Sequence, residues 1–158
     1  MNKSSVIILI TLAVFFLMGS SVQAWFGGKF KTIKPENNQI SIPLKGIMDG
    51  QAHYFKVKSE KGETIQFFVV KSHDNVVRAA VDACDVCYRS GKGYVQEGNV
   101  MVCTNCGMRF ATDRINEVKG GCNPAPLNRT IVTENDGEKL LISMADINAN
   151  AWLCRYKK

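Results

Sequence analysis

Histidine and organised charge are both scarce in this chain of 158 residues. The two histidines, His53 and His73, are distant in sequence from the cysteine motifs, so no thiol has a neighbouring base that would activate it. Paired carboxylates and a glycine-rich phosphate loop are also missing from the sequence. These absences remove the usual signatures of hydrolases and phosphoryl-transfer enzymes, and we expect a protein without catalytic residues.

A clustered basic face is also lacking. The 20 basic and 14 acidic side chains give a net charge of +6, but the basic residues are scattered apart from the tail 155–158. Nucleic-acid binding needs a basic patch or a recognisable module, so we do not expect a nucleic-acid partner. The basic surface is compatible with association with an anionic membrane surface.

The longest apolar run, Val6–Met18, is too short for the roughly 20 residues of a membrane-spanning helix. Lys3 precedes it and Val22-Gln23-Ala24 follows it, which is the order of a cleavable signal peptide over residues 1–24. An uncleaved anchor is the alternative. No arginine pair precedes the run, which argues against twin-arginine export. We expect an exported protein that is periplasmic or associated with the membrane.

The remaining sequence consists mostly of short β-branched and aromatic runs separated by Asp, Gly and Asn turns. This pattern predicts a mainly β, antiparallel domain. We expect an N-terminal arm over 25–44, one domain over 45–158, and helical or irregular structure only at the end, from Met144. The predicted strands are 40–47, 52–59, 63–72, 75–83 and a hairpin over 131–142 that turns at 135–137.

Four of the six cysteines form two C-x-x-C pairs, Cys84/Cys87 and Cys103/Cys106. The second pair follows an apolar strand and precedes Gly107, which is typical of a metal-binding knuckle. A tight turn makes the two thiolates converge, and glycine permits the positive φ that such a turn needs. Two pairs at this spacing predict one shared tetrathiolate site.

Disulfides are the competing interpretation in an oxidising compartment. A disulfide within C-x-x-C closes a small strained loop and is found chiefly in redox centres, but pairing across the two motifs stays open. A thioredoxin-like motif would open a helix in a βαβ unit, which this sequence does not predict. Haem attachment needs a histidine directly after the second cysteine, where Tyr88 and Gly107 stand.

A longer pattern begins at Cys103: C-T-N-C-G-M-R-F, then E-V-K-G-G, then P-A-P-L, then the predicted hairpin. It resembles the second half of a Rieske iron–sulfur domain, in which C-x-x-H-G-x-x-F is followed by a similar segment. Cys106 stands where the Rieske pattern has its second histidine, and Cys87 stands near the first. The resemblance implies a small antiparallel β domain carrying two cysteine ligand loops. A cluster held only by thiolates would have a low potential, about −400 mV.

From about Lys45 the chain is similar to the soluble domain of the FtrD-like membrane iron–sulfur family. The motifs that carry the similarity are D-A-C-D-V-C-Y, G-K-G-Y, Q-E-G, M-V-C-T-N-C-G and V-K-G-G-C-N-P-A-P-L. The resemblance implies an iron–sulfur cofactor and a role in envelope iron uptake or electron transfer. It also implies partners among membrane or periplasmic redox and iron-transport components. It adds Cys122 as a fifth candidate ligand. Larger members carry several membrane helices that this chain lacks, so a direct membrane function is not expected.

The identity of the metal stays open at this point. Four thiolates suit an iron–sulfur cluster, zinc and Cu(I). Iron–sulfur, as [2Fe–2S], is first by resemblance. Zinc follows, because clusters are normally inserted in the cytoplasm and a folded holoprotein would need the twin-arginine route. Copper is third. A zinc-stapled interaction domain and a thiol–disulfide protein are therefore the alternative functions.

The residues around the motifs receive simpler interpretations. Four knuckle thiols complete a site, so Cys122 is either a fifth thiol close to it or a buried or oxidised bystander. We expect Cys154 to lie beside Trp152 or to pair with Cys122. The other neighbours are interpreted as ordinary loop or solvated residues: Asp82, Asp85, Tyr88 and Tyr94.

Overall fold

Ten short strands and one α-helix occupy residues 28–157, the part of the chain that a computed structural model describes. The predicted signal peptide, residues 1–24, lies outside the described residues. Between residues 28 and 157, no helix has the length and apolar character needed to cross a membrane. The strands and helix are β1 Lys31–Thr32, β2 Gln39–Pro43, β3 His53–Lys58, β4 Thr64–Lys71, β5 Val77–Val81, β6 Tyr94–Glu97, β7 Val100–Cys103, β8 Arg109–Ala111, β9 Thr130–Glu134, β10 Gly137–Ser143 and α1 Met144–Ala149.

The strands form three sheets with the orders β1-β3-β4-β5, β2-β10-β9 and β6-β7-β8. Every pairing is antiparallel except that of β1 with β3. The prediction of a mainly β, antiparallel fold with two cysteine loops is confirmed.

The four-stranded sheet is covered on both faces, because successive side chains of a strand point to opposite sides. On β4, Phe67 faces a large core shared with β2 and β10, whereas Phe68 faces a smaller core shared with β6 and β7. All five residues of β5 are buried. The smaller core contains Cys84 and Cys103, so the ends of β5 and β7 meet in one apolar environment.

The predicted strands agree with the structure in most places, including the C-terminal hairpin, where Gly137 has a φ of 121°. Two findings differ from expectation. The strand predicted over 40–47 ends at Pro43 and continues as a 3₁₀ helix, Leu44–Gly46. In addition, β2 lies within the segment expected to be an arm, 25–44, yet it pairs with β10 and buries Ile40 completely.

A short extended segment, residues 125–127, runs antiparallel to β5 and covers its free edge. The N–H of Val81 donates to the carbonyl of Ala125 at 2.8 Å, and the N–H of Ala125 donates to Ala83 at 3.0 Å. The N–H of Leu127 donates to Ala79 at 3.0 Å. This pairing carries the preceding loop, with Cys122, to the end of β5.

A buried arginine fixes the chain that follows β8. Arg78 on β5 is 4% exposed, and its guanidinium donates to the carbonyl of Ile115 at 3.0 Å. It also donates to the carboxylates of Glu117 at 2.7 Å and Asp74 at 2.6 Å, and to the hydroxyl of Ser72 at 3.0 Å. Because these partners come from two separate loops, Arg78 ties both loops to β5.

We expect Arg78→Met to lower the free energy of unfolding by about 2 kcal/mol, because buried acceptors lose a charged donor. Arg109→Met is the matched control. Arg109 pairs with Glu97 at the surface, with both side chains more than half exposed, and its loss should cost no more than about 0.5 kcal/mol. Chemical denaturation of both variants measures the difference. Equal losses would show that the Arg78 network does not stabilise the fold.

Candidate metal centre

The first C-x-x-C pair forms a turn directly after β5. Cys84 is 1% exposed, and its Sγ accepts a hydrogen bond from the N–H of Cys87 at 3.2 Å. The carbonyl of Cys84 accepts the N–H of Tyr88 at 3.0 Å, which starts a 3₁₀ helix over Tyr88–Ser90. The turn therefore brings both sulfurs to one side and aims an N–H at one of them.

The second pair forms the knuckle that the sequence predicts. Strand β7 ends at Cys103, and the N–H of Gly107 donates to the carbonyl of Cys103 at 2.9 Å. Gly107 has a φ of +74°, a backbone conformation that favours glycine. Asn105 reaches across to the first knuckle, and its side-chain amide donates to the Sγ of Cys87 at 3.3 Å.

Five thiols converge from three loops. The Sγ atoms of Cys84, Cys87 and Cys122 lie within 4.8 Å of one another, and so do those of Cys87, Cys103 and Cys106. Cys122 is 3.9 Å from Cys87 and 3.7 Å from Cys106, measured between sulfurs. A metal bound tetrahedrally at about 2.3 Å from each sulfur separates the sulfurs by about 3.8 Å. The sulfur spacing therefore fits a thiolate-bound metal.

The surroundings favour ionisation of the Cys106 thiol and oppose ionisation of the thiols of Cys103 and Cys122. The N–H of Met108 lowers the pKa of Cys106 to about 7, and this thiol is exposed. Burial raises the pKa of Cys103 to about 11, against hydrogen bonds from the N–H groups of Cys106 and Asn105. Burial, together with the neighbouring thiols, raises the pKa of Cys122 to about 12. A metal that binds these thiols must displace their protons, so binding releases protons and weakens as the pH falls.

Tyr94, at the start of β6, connects all three cysteine loops and is completely buried. Its N–H donates to the carboxylate of Asp82 at 2.8 Å, two residues before Cys84. Its hydroxyl donates to the carbonyl of Cys122 at 2.5 Å. The carbonyl of Gly93, beside it, accepts the N–H of Thr104 in the second knuckle at 2.9 Å. Tyr94 therefore links the three cysteine loops, whereas we interpreted it from the sequence as an ordinary loop residue.

The expectation that Asp82 is a solvated charge is wrong. Asp82 is 0% exposed, and its carboxylate is 2.8 Å from the ammonium group of Lys157 and 3.7 Å from that of Lys29. Burial raises the pKa of Asp82, whereas the two ammonium groups and the N–H of Tyr94 favour the ionised form. No local pattern distinguishes Asp82 from the exposed Asp85, because both partners of Asp82 are remote in sequence.

The other candidates lie away from the thiols. Cys154 is buried in the large core, where the N–H of Gln66 donates to its Sγ at 3.5 Å. It is a free thiol, so the pairing with Cys122 is not found. His53 contacts Asp49 at 2.7 Å, and His73 is 3.7 Å from Asp113. Tyr88 packs against Trp152 with ring centroids 5.0 Å apart, which agrees with its interpretation as a packing residue.

A β domain that gathers five thiols on three loops belongs to the class of cysteine-rich metal-binding proteins. Residues 47–153 match the family of membrane iron–sulfur containing proteins, FtrD-like, and the chain belongs to this family. The resemblance on which the sequence interpretation rested is thereby confirmed. No curated protein matches the chain.

Two solved structures are similar to the chain, both of the quaternary ammonium Rieske monooxygenase CntA. One is the complex with the inhibitor MMV12, with 19% identity, a TM-score of 0.41 and coverage of 66% of this chain. The other is the complex with the substrate gamma-butyrobetaine, with 19% identity, a TM-score of 0.40 and coverage of 65% of this chain. The chain spans only 30% of the length of either monooxygenase chain, and neither similarity bears on its activity.

We expect Tyr94→Phe to destabilise the protein by about 1–2 kcal/mol, because the partly buried carbonyl of Cys122 loses its donor. Tyr54→Phe is the matched control. The Tyr54 hydroxyl donates to the carbonyl of Tyr94 at 3.2 Å, but that carbonyl also accepts from Lys29 at 2.6 Å and stays satisfied. Denaturant unfolding of the two variants compares the losses. A larger loss in Tyr54→Phe would show that the Tyr94 hydroxyl does not secure the Cys122 loop.

Proposed function

We propose that this chain is an iron–sulfur redox module of a bacterial envelope iron-uptake or electron-transfer system. The observation that carries the proposal is the convergence of five thiols at metal-ligand spacing within a chain of the FtrD-like iron–sulfur family. The ligands are the four knuckle cysteines, and the cofactor is a [2Fe–2S] cluster that exchanges single electrons when bound. In this proposal, Cys106 stands at a position that is histidine in the Rieske pattern.

The residues around the thiols suit electron exchange. Cys84 and Cys103 are buried beside Phe68 and Met101, which keeps water from the inner side of the site. Cys106 is exposed, and it provides the edge at which a redox partner approaches. The partners in this proposal are membrane or periplasmic redox and iron-transport components, which the chain meets after export through its predicted signal peptide.

A role in electron transfer also agrees with the neighbours of the thiols. No histidine lies in either thiol group of the described residues, since His53 and His73 contact aspartates elsewhere. In enzymes with a cysteine nucleophile, an adjacent histidine commonly serves as the base that activates the thiol. We therefore propose that the cysteines act as ligands and not as nucleophiles.

The decisive measurement is the metal and sulfide content of protein purified from the compartment to which it is exported. We expect a brown protein with iron and acid-labile sulfide in equal amounts, about two of each per chain. A colourless protein with one zinc per chain would replace the redox function with a zinc-stapled interaction domain. Metal-free protein with all of its cysteines in disulfides would indicate a thiol–disulfide protein.

Single serine variants test the ligand set. We expect replacement of Cys84, Cys87, Cys103 or Cys106 to abolish metal binding, because each removes one of four required thiolates. We expect Cys122→Ser to keep the metal stoichiometry but to alter the reduction potential or the thiol reactivity. Cys154→Ser is the matched control, since it removes a thiol in the large core and should leave the metal content unchanged.

Two results would contradict this ligand set. If Cys122→Ser empties the site as fully as Cys106→Ser, Cys122 is a ligand and one knuckle thiol is spare. Unchanged metal content in Cys103→Ser would remove Cys103 from the site. In that variant we also expect the strands before Ala80 to stay ordered, because one face of β3 and β4 packs in the large core, which does not contain Cys103. Amide hydrogen exchange measures this order.

A further inference from the structure

We propose that Asp82, clamped between Lys157 and Lys29, is a positioning residue for the metal centre, and that the two lysines provide net positive charge beside its thiolates. The proposal rests on the proposed function, in which the cysteine thiolates hold a metal centre. The three charged residues lie outside the ligand set, and the two lysines come from opposite ends of the described chain.

The clamp consists of Asp82, Lys157 and Lys29, of which the first two are buried. The Asp82 side chain is 0% exposed and that of Lys157 is 4% exposed, with a Nζ–Oδ2 distance of 2.8 Å. Lys29 is 35% exposed, and its Nζ is 3.7 Å from the same oxygen. Desolvating a carboxylate is costly unless it is paired and hydrogen-bonded, so a buried pair of this kind must be completed by both partners. Ordering of the C-terminal tail is therefore coupled to burial of Asp82.

Two glycines make room for the tail, and both have positive φ, 68° at Gly91 and 79° at Gly93. A Cβ atom at Gly91 would lie 2.3 Å from the carbonyl oxygen of Tyr156. A Cβ atom at Gly93 would overlap the Asp82 carboxylate and lie 2.6 Å from the ammonium group of Lys157. Both glycines belong to the G-K-G-Y motif. This motif is therefore a cradle for the tail and the buried carboxylate.

The clamp is connected to the knuckles by short paths. Asp82 lies two residues before Cys84 and accepts the N–H of Tyr94 at 2.8 Å. Gly93, against the clamp, accepts both the N–H and the hydroxyl of Thr104, at 2.9 and 2.8 Å. Thr104 directly follows Cys103, so one buried carboxylate fixes the relative position of the two C-x-x-C turns.

The net charge of the clamp is opposite in sign to the charge of the metal-bound thiolates. Two ammonium groups and one carboxylate leave one net positive charge, whereas bound thiolates accumulate negative charge. A small cavity of about 10 Å³ is lined by Cys84, Cys87, Cys103 and Lys157, among others. Lys157 thus lies at the wall of the thiol site, and a nearby positive charge stabilises the more negative, reduced state of a cluster.

The positioning role is tested with Asp82→Asn in the full-length metal-loaded protein. The matched control is Asp85→Asn, which removes the same charge from the other side of Cys84 at an exposed position. We expect metal to pass to an excess of chelator about tenfold faster from Asp82→Asn and within about twofold of the wild-type rate from Asp85→Asn. Equal rates in the two variants would overturn the positioning role. Should Asp82→Asn fail to fold, Lys157→Met replaces it, and wild-type release from that variant overturns the role equally.

The charge is tested separately with Lys29→Met, which leaves the Asp82–Lys157 pair in place. Lys31→Met is the control, because it removes the same charge from an exposed position on β1. In a redox titration of the cluster, we expect the ratio of reduced to oxidised protein at a fixed potential to fall about tenfold in Lys29→Met. This corresponds to a shift of about −59 mV for one electron. Lys29→Arg should restore the wild-type value. Equal shifts in Lys29→Met and Lys31→Met would overturn the charge effect.

The two arms separate this proposal from the proposed function. Metal release is measured for any metal that the thiols hold. A zinc-containing protein that releases zinc faster in Asp82→Asn would contradict the iron–sulfur function and support the clamp. An iron–sulfur protein with unchanged release and an unchanged potential would support the function and overturn the clamp.

Discussion

The hydrogen-bonded register along β5 is the constraint on which the thiol site depends. One edge of β5 pairs with β4 and the other with residues 125–127, so the strand end that leads into Cys84 has no freedom to shift. A slip of one residue would turn every side chain of β5 to the opposite core. Because that register fixes both the Cys84 turn and the loop of Cys122, two of the three cysteine loops take their positions from a single strand.

The third loop, the second knuckle, joins β7 to β8 in the three-stranded sheet, where Cys103 pairs with Tyr94 of β6. Hydrogen bonds between loops then connect the second knuckle to the first: Thr104 donates to Gly93, the N–H of Tyr94 donates to Asp82, and Asn105 donates to Cys87. The smaller core beside this knuckle has few apolar side chains, and the bonds of Thr104 and Asn105 are exposed. A metal that binds both knuckles would therefore supply a large share of the stability of this region, since binding free energy then becomes folding free energy.

A buried ion pair is the second constraint on the position of the cysteine loops. The Asp82–Lys157 pair lies in an environment that would not accept either group alone, and it forms only when the C-terminal tail is seated against Gly91 and Gly93. The tail is also held by ring contacts of Tyr88 with Trp152 and Tyr156. The interactions that hold the C-terminal tail in place therefore lie next to the cysteine loops.

The sequence by itself determined the β class, the C-terminal hairpin, the two knuckles and the family. These features depend on local rules: alternation along strands, turn residues, and the spacing of C-x-x-C before a glycine. It did not determine that Asp82 is buried or that Tyr94 joins three loops. Only the tertiary structure decided these points, and it also decided that Cys122 lies against both knuckles while Cys154 does not. The physical reason is that a carboxylate, a hydroxyl or a thiol has the same local signature whether it is solvated or paired, and its partners here are between 12 and 75 residues away.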